Sequence, residues 1–399
     1  MFAVIFTSCK KDDDPIQLTL VSATAGDVSI NEAAPPTNVP VNAVIVATFS
    51  TNVDQLTATA ANITLTRGFD DADVQIGIAV AGKVVTITPD EQLYGGASYT
   101  ISFGAGLLST DGLPLTTLSR AFTTIGTFVP SGQLAYFSFE DNANDMVGNH
   151  DPLPSGIIGI TYVTSRKTEA GKAANFTGAT DKSIIEIPNA ADLINPSTTY
   201  SIWFKVATAD FAGGGSRILF GLAVERGFFM EIAENFAWFK LATSHLVDPD
   251  PMNHIFGTAW TDPNGDGNMD PPVLYDYSGS ISTLIADKWS HLVMTYDATT
   301  SIKTIFIDGS KVMQIDLNAE TTEWYLTDFS IADHDGVGAI TGIDPVLTLG
   351  YFCSRANTAT GWADYSTATN TFKGQIDDFR VFNKSLTEIE VGLLYNSEK

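Results

Sequence analysis

The chain has 399 residues, enough for two or three domains that each bury a core. Its 21 Lys and Arg residues stand against 46 Asp and Glu residues, and the resulting formal net charge of −25 disfavours nucleic acid and anionic lipid head groups as partners. An aromatic content of 11%, together with many glycines and few charged residues, favours an extracellular all-β protein over a disordered chain.

Residues 1–16 predict the remnant of a signal peptide followed by a tether. A short apolar run ends in two small residues before Cys9, and a charged stretch at 10–14 follows. This order resembles the lipid-attachment site and acidic tether of surface lipoproteins from Gram-negative glycan users. The resemblance implies a lipid on Cys9, a place at the cell surface on the outer membrane, and membrane contact through that lipid only. The alternative is a short buried strand with a free thiol.

The remaining sequence offers no second membrane signal and no evident disulfide. No other apolar run reaches 18 residues, so no membrane-spanning helix is predicted. The only other cysteine, Cys353, lies at the far end of the chain from Cys9, which argues against a structural bridge between them.

Residues 17–127 contain short apolar runs at the spacing typical of a β-sandwich, with strands predicted at 43–49, 63–66, 74–80, 83–88 and 99–103. Segments at 39–42, 49–50, 86–89, 111–112 and 122–124, with Leu93 and Tyr99, resemble the bacterial immunoglobulin-like domains of surface-layer proteins. The resemblance implies an immunoglobulin-like spacer, in which Tyr99 packs near a strand corner and no residue carries chemistry.

A joint at 126–132 leads into a second β-rich region, residues 132–399. Asp308 and Gly309 stand between alternating apolar runs, which predicts a type I′ hairpin turn. Close to residue 399, an alternating strand is followed by a polar turn and a helix start. Ser385 and Glu388 have the spacing of a capping box, so the helix is predicted to begin just after Ser385.

The order of motifs in this second region is distinctive. They lie at 134–140, 145–149, 171–176, 200–205, 289–297, 305–309 and 373–389. This order resembles the laminin-G-like, concanavalin-A-like lectin domain, and the resemblance places Trp203 and Trp289 on core strands, where both side chains are expected to be buried. The resemblance implies an all-β chain, with an N-terminal immunoglobulin-like β-sandwich followed by a concanavalin-A-like jelly-roll β-sandwich over 132–399. Because that fold mostly binds carbohydrate, a polysaccharide or oligosaccharide is the expected partner.

A long insertion at 244–282 is rich in proline and predicts a loop. Within it, oxygen-bearing side chains recur at positions 1, 3, 5 and 9 of a segment with glycine at position 6, as a Ca²⁺ loop requires. Position 12 is Val273, which excludes an EF-hand, and Asp276 is a candidate late ligand. The alternative is a polar surface turn. The predicted Ca²⁺ ligands are Asp262, Asn264, Asp266 and Asp270.

Acidic residues at the two ends of the lectin-like region form a second candidate for a structural Ca²⁺ site. Glu140 lies on the first strand, and Asp377 or Asp378 lies on the last. The resemblance implies that these strands are neighbours, and acidic groups there often hold Ca²⁺ in that family. The alternative is a carboxylate that is solvated or paired with Arg380.

Aromatic residues near predicted loops supply the candidate carbohydrate-binding face, because flat rings with a polar edge stack on sugar C–H groups while neighbouring polar side chains bind hydroxyls. Taken singly, each ring fits a core position better than a ligand platform. As a group, the candidates are Trp260, Tyr275, Tyr277, Trp324, Arg355, Trp362 and Asp364; Tyr365 follows the last of these in sequence, and Trp238 is a further tryptophan near a predicted loop or strand edge.

Catalytic signals are weak. The E-x-D-x-x-E strand used by glucanases of the same fold is absent, since the segment at 231–234 lacks the middle Asp. The five histidines show no metal-ligand spacing. We therefore expect a non-catalytic, carbohydrate-binding surface lipoprotein that captures glycans for degradation or for neighbouring uptake proteins. The alternatives are a glycoside hydrolase or lyase on the same fold, and an adhesion protein that binds another protein.

Overall fold

The computed structural model describes residues 16–177, 182–193, 195–211, 217–222, 228–232, 238–243, 252–257, 273–275, 281–316, 346–351, 354–356, 365–366 and 370–399. The chain divides into two compact units, Met1–Val129 and Pro130–Lys399, and both are built from β-strands. Within these described ranges, no helix combines the length and the apolar character that crossing a membrane requires.

The first unit is a sandwich of two antiparallel sheets with strand orders β2-β1-β3-β7-β6 and β5-β4-β8-β9. Alternating burial along β3 and β8 sends every second side chain into the core, where Phe49 and Phe103 meet edge to face at 5.7 Å between ring centroids. The strands are β1 Leu20–Ala25, β2 Val28–Ser29, β3 Ile45–Phe49, β4 Ile63–Arg67, β5 Asp73–Val74, β6 Ile76–Ala81, β7 Val84–Pro89, β8 Ser98–Phe103 and β9 Leu118–Thr123.

Four of the five strands predicted for this unit are present as single strands, and the fifth is divided into two. The run 74–80 is not one strand, because β5 pairs with β4 in one sheet and β6 pairs with β7 in the other. Gln75 lies between them, so the chain changes sheets at that residue. The predicted packing role of Tyr99 is confirmed, since its side chain is buried and its ring stacks on Phe122.

The second unit is a sandwich of a nine-stranded and a seven-stranded sheet within the described residues. The larger sheet has the order β12-β13-β25-β15-β21-β22-β23-β20, with β10 also paired to β25, and the smaller has β11-β14-β24-β16-β17-β18-β19. The strands are β10 Gln133–Phe137, β11 Ile157–Ile158, β12 Ile160–Thr164, β13 Lys172–Phe176, β14 Ile184–Ile187, β15 Thr198–Lys205, β16 Arg217–Leu222, β17 Phe228–Ile232, β18 Trp238–Thr243, β19 Met252–Gly257, β20 Val273–Tyr275, β21 Trp289–Asp297, β22 Ile302–Ile307, β23 Ser310–Asp316, β24 Leu347–Leu349 and β25 Gly374–Phe382.

Buried apolar side chains of both sheets form one core between them, including Ile202 on β15 and Phe220 on β16. In the described part of this unit, the helices α1 Ile281–Ile285 and α2 Glu388–Glu398 accompany the sheets. Trp203 also lies on β15, but it is buried outside this core, beneath α2, where it stacks on Tyr395 at 5.7 Å. Trp289 was predicted to be buried in the core, and it is only half-buried at the first position of β21.

The helix α2 begins two residues later than predicted. Its N-cap is Thr387, whose hydroxyl accepts from the backbone N–H of Glu390 at 3.2 Å, while the Glu390 carboxylate accepts from the N–H of Thr387 at 2.9 Å. Ser385 and Glu388 have the same spacing, but Leu386 between them is buried and donates its N–H to Thr199 on β15. This contact holds the chain against the sheet, so the helix cannot start there.

The predicted type I′ turn between β22 and β23 is confirmed. Asp308 and Gly309 both have positive φ angles, 50° and 76°. A Cβ on Gly309 would lie 2.8 Å from the ring of Tyr395 on α2, so glycine is needed for close approach as well as for conformation. The hairpin therefore supports the helix.

Candidate functional site

A glutamate on an otherwise apolar strand fixes the segment that carries Arg355. Ile185 and Ile187 of β14 face the core between the sheets, and Glu186 lies on the opposite face, which it shares with the buried Ile184. Its Oε2 accepts from Nε and Nη2 of Arg355 at 3.0 and 2.7 Å, and its Oε1 accepts from the backbone N–H of Arg355 at 2.7 Å. This double contact leaves the guanidinium little freedom.

The side chain of Arg355 is fixed by hydrogen bonds but remains partly exposed to solvent. Its Nη2 also donates to the carbonyl of Ser155 at 2.5 Å, yet 34% of its side chain remains exposed, compared with 13% for Glu186. No acceptor for its Nη1 is found in the part of the chain that the structure describes. The arrangement thus presents a rigid, planar hydrogen-bond donor at the surface, which is the kind of group that binds the hydroxyls of a sugar.

A second contact holds the neighbouring segment. Lys182 donates its ammonium to the carbonyls of Tyr365 and Ser366 at 2.5 and 2.6 Å, and the Tyr365 hydroxyl donates back to the carbonyl of Lys182. The ring of Tyr365 meets Tyr351 edge to face at 5.5 Å. Both late segments, 354–356 and 365–366, are therefore fastened to residues that flank or form β14.

Of the predicted carbohydrate-binding residues, Arg355 is the one whose side chain the structure describes. Tyr275 is the last residue of the short strand β20, which pairs with β23. Trp260, Tyr277, Trp324, Trp362 and Asp364 lie outside the described residues, as do the Ca²⁺-loop residues Asp262, Asn264, Asp266 and Asp270 and the predicted lipid attachment site Cys9.

The two residues proposed for the second Ca²⁺ site already have protein partners. Glu140 accepts from the backbone N–H of Lys172 at 3.2 Å. One oxygen of Asp377 accepts from Arg166 at 2.7 Å, and its other oxygen accepts from the N–H of Asp378 at 2.8 Å. A cation would have to displace Arg166. No group of three or more His, Cys, Asp or Glu side chains suited to a metal occurs among the residues described above.

Asp377 belongs to an outer charge cluster beneath α2, which we define as Arg166, Asp377, Asp378, Arg380 and Glu398. Arg166 bridges both aspartates, and Arg380 donates to Glu398 from Nε at 3.0 Å and from Nη2 at 2.9 Å. The Arg166 guanidinium lies 4.4 Å above the Trp203 ring, and the Trp203 indole N–H donates to Glu398 at 2.7 Å. The cluster fastens α2 to the sheet and has a structural role.

A β-bulge explains how neighbouring aspartates reach the same guanidinium. Successive side chains of a strand point to opposite faces, yet both Asp377 and Asp378 contact Arg166. Asp378 has a φ of 43°, and the register of β25 against β15 shifts at this residue. The extra residue lets Ile376 and Phe379 both face the core while the aspartates share the outer face.

Burial shifts the pKa values of several side chains on this outer face. Burial, followed by the neighbouring Asp378 carboxylate, raises the pKa of Asp377 to about 8. Burial also raises the pKa of Glu398. Burial lowers the pKa of His291 to about 3, and the His291 Nε2 pairs with the Ser201 hydroxyl at 2.8 Å. Three carboxylates face two guanidinium groups here, so a retained proton on one carboxylate balances the charge.

Sequence reasoning missed Glu186 and Arg166. A single glutamate within the run Ile184–Ile187 is a usable signal, because a charge in an apolar strand needs a partner. Arg166 gives no such signal, since it lies in a polar connection more than two hundred residues from Asp377 and Asp378.

Comparison with known proteins confirms the nature of the first unit. Residues 18–124 match the family described as bacterial Ig-like domain. A search of the curated proteins gave no match.

Among solved structures, several domains align with about two thirds of this chain at low identity. Domain 4 of AbnA, an extracellular arabinanase from Geobacillus stearothermophilus in complex with arabinotriose, is 17% identical with a TM-score of 0.39, covering 66% of this chain and 98% of that one. The binding domain of Paraclostridial Mosquitocidal Protein 1 is 17% identical with a TM-score of 0.41, and that of botulinum neurotoxin DC in complex with SialylT is 13% identical with a TM-score of 0.40. Each toxin match covers 67% of this chain and 52% of the toxin chain, and similarity at this level assigns no function.

Proposed function

We propose that the chain is a surface-anchored, non-catalytic carbohydrate-binding protein whose second unit, a laminin-G-like sandwich, captures neutral glycans for degrading or uptake proteins. The observation that carries the proposal is the rigid, partly exposed guanidinium of Arg355. Its segment leads in sequence to Trp362 and Asp364, which supply an aromatic ring and a carboxylate for the same ligand. A net charge of −25 disfavours anionic polysaccharides, whereas uncharged glycans meet no such repulsion.

Replacement of Arg355 by Ala should abolish or strongly weaken glycan binding. We expect dissociation constants in the micromolar to millimolar range, roughly 4 to 8 kcal/mol, for the unmodified chain on an array of neutral glycans. Loss of the guanidinium donor should reduce affinity at least about tenfold, as measured by calorimetry on the best glycan.

The control for this experiment is Glu186→Gln, which frees the guanidinium without removing it and should retain more binding than Arg355→Ala. Trp362→Ala should weaken binding by about 2 kcal/mol while leaving the melting temperature nearly unchanged. If Trp362→Ala unfolds the chain, its ring is a core residue. Failure to bind any glycan, with Ca²⁺ present, contradicts the proposal and favours the adhesion alternative.

Lipid attachment at Cys9 is the second part of the proposal. A lipid with two or three acyl chains gives stable attachment, and the first unit follows the lipid in sequence. Radiolabelled fatty acid should enter the chain expressed with its export signal, and should not enter Cys9→Ala. Labelling of both proteins to the same extent contradicts this assignment.

We also propose one bound Ca²⁺ ion, in the loop formed by Asp262, Asn264, Asp266 and Asp270. A cation that binds only the folded state stabilises it by RT ln(1 + [L]/Kd). Chelator should therefore lower the melting temperature, and Asp266→Ala should remove most of that difference. The matched control, Asp111→Ala, removes a carboxylate from the first unit and should respond to chelator like the unmodified chain. A melting temperature that is insensitive to chelator contradicts Ca²⁺ binding.

A further inference from the structure

The first unit contains a cavity of about 500 Å³ that its role as a spacer does not explain. It lies beside the end of β4, the β5 strand and the loop before β8. Its apolar lining comes from Val74, Leu93 and Tyr94, and the buried Tyr99 also contributes. Its polar lining consists of three carboxylates, two amides and one guanidinium, namely Asp73, Asp90, Glu91, Gln75, Gln92 and Arg67.

The guanidinium of Arg67 is fixed in place. Its Nε and Nη2 donate to the Asp70 carboxylate at 3.1 and 2.7 Å. Its Cζ lies 5.1 Å from the ring centroid of Phe69 and 5.6 Å from that of Tyr94. Nη1 has no acceptor among the residues described in this unit, so it is available to a molecule in the cavity.

A second donor in the cavity also lacks an acceptor. The Tyr99 hydroxyl oxygen accepts from the backbone N–H of Tyr94 at 2.7 Å, but nothing in the described parts of the chain accepts its proton. Tyr99 is only 1% exposed. A buried O–H without an acceptor is costly, so its partner is whatever occupies the cavity. This observation is independent of the carboxylates at the rim.

We propose that this cavity binds one neutral saccharide unit, so that the immunoglobulin-like unit contacts glycan in addition to extending the chain. Every sugar hydroxyl both donates and accepts, and the cavity offers donors in Arg67 and Tyr99 together with carboxylate acceptors. The partly exposed ring of Tyr94 provides a surface for C–H groups. The volume lies within the roughly 300 to 1,000 Å³ of small-molecule sites.

The charged groups around the cavity favour a neutral ligand over an anion or a cation. An anion would face Asp73, Asp90 and Glu91, whereas Arg67 is already neutralised by Asp70. A cation could use the carboxylates but could not accept from the Tyr99 hydroxyl or from Arg67. A neutral polyol satisfies both sets of groups.

The test is a titration of the full ¹⁵N-labelled chain with neutral trisaccharides of glucose, galactose, mannose, xylose or arabinose, with spermidine as a cationic probe. We expect at least one trisaccharide to shift the backbone amides of Arg67, Gln92 and Tyr94, and Tyr94→Ala to weaken that binding about tenfold or more. Sugar binding by the second unit shifts amides beyond Pro130 and is therefore distinguishable.

If Tyr94→Ala fails to fold, the double variant Asp90→Asn with Glu91→Gln replaces it in the test, because both of these side chains are exposed. This double variant should weaken binding roughly three- to tenfold. Asp111→Asn, an exposed carboxylate outside the cavity, is the matched control and should bind like the unmodified chain. The proposal is overturned if no trisaccharide shifts these amides, if the cavity variants bind unchanged, or if spermidine alone produces the shifts.

Discussion

Replacement of Arg380 by Ala should lower the free energy of unfolding of the second unit by about 3 to 5 kcal/mol. Arg380 is buried on the central strand β25, where it donates to Glu398 and to Gln133 and lies 3.5 Å from the ring centroid of Tyr136. Its removal leaves the buried Glu398 carboxylate without its main cationic partner. Urea unfolding followed by tryptophan fluorescence measures this effect, because all six tryptophans lie in the second unit.

Two further variants decide whether charge or packing is responsible. Arg380→Met combined with Glu398→Gln removes both charges and should recover much of the loss, since a pair is costly to break but not to replace. Lys172→Met breaks the exposed pair with Asp141 and should cost less than about 1 kcal/mol. A double variant as unstable as Arg380→Ala would show that packing of the arginine, and not its charge, stabilises the cluster.

Asp377→Asn should become progressively more stable than the unmodified protein as the pH rises from about 4 to about 8. In the folded state burial raises the pKa of Asp377 from 3.8 to about 8, so over that interval the folded chain holds a proton that the unfolded chain has lost. Linkage then makes the contribution of Asp377 fall as pH rises, by up to about 1.4 kcal/mol per pH unit. Asparagine does not titrate and keeps the neutral form.

The quantity to follow with pH is the difference in unfolding free energy between Asp377→Asn and the unmodified protein. Burial lowers the pKa of His291 to about 3 and that of Lys303 to about 7, so both groups add their own pH dependence to the unmodified chain. These contributions are common to Asp377→Asn and cancel. Glu169→Gln, at an exposed position, is the control and should show a flat difference. A flat difference for Asp377→Asn as well would mean that Arg166 keeps the carboxylate ionised throughout.

Much of the fold could be predicted from the sequence because strands leave local signals. The resemblance of 289–297 to a family strand predicted the bounds of β21, and Asp308-Gly309 predicted the turn after β22. The helix start was predicted two residues too early because Ser385/Glu388 and Thr387/Glu390 have the same spacing. Only the contact of Leu386 with Thr199 decides between these two pairs. The burial of Trp203 was predicted, but not the sheet face on which it lies.

The contacts of the candidate site could not be predicted in the same way. Glu186 and Arg355 are far apart in sequence, as are Arg166 and Asp377, and no local pattern links either pair. The bulge at Asp378 also breaks the alternation on which strand prediction depends, so the two aspartates would be assigned to opposite faces. The cavity near Arg67 combines residues from three strands, β4, β5 and β8, and from the loop before β8.

The pairing of β10 with β25 has a mechanical consequence. The chain enters the second unit at Gly132 and Gln133, where the Gly132 carbonyl accepts from the N–H of Asn383 at 2.9 Å and Gln133 stands opposite Phe382. A pull on the first unit is therefore transmitted at once to β25, which is bonded to β13 and β15 in the interior of the larger sheet. Force applied to the first unit would therefore load a strand that is bonded to β10, β13 and β15 among the described residues, before it reaches the strands farther along the sheet.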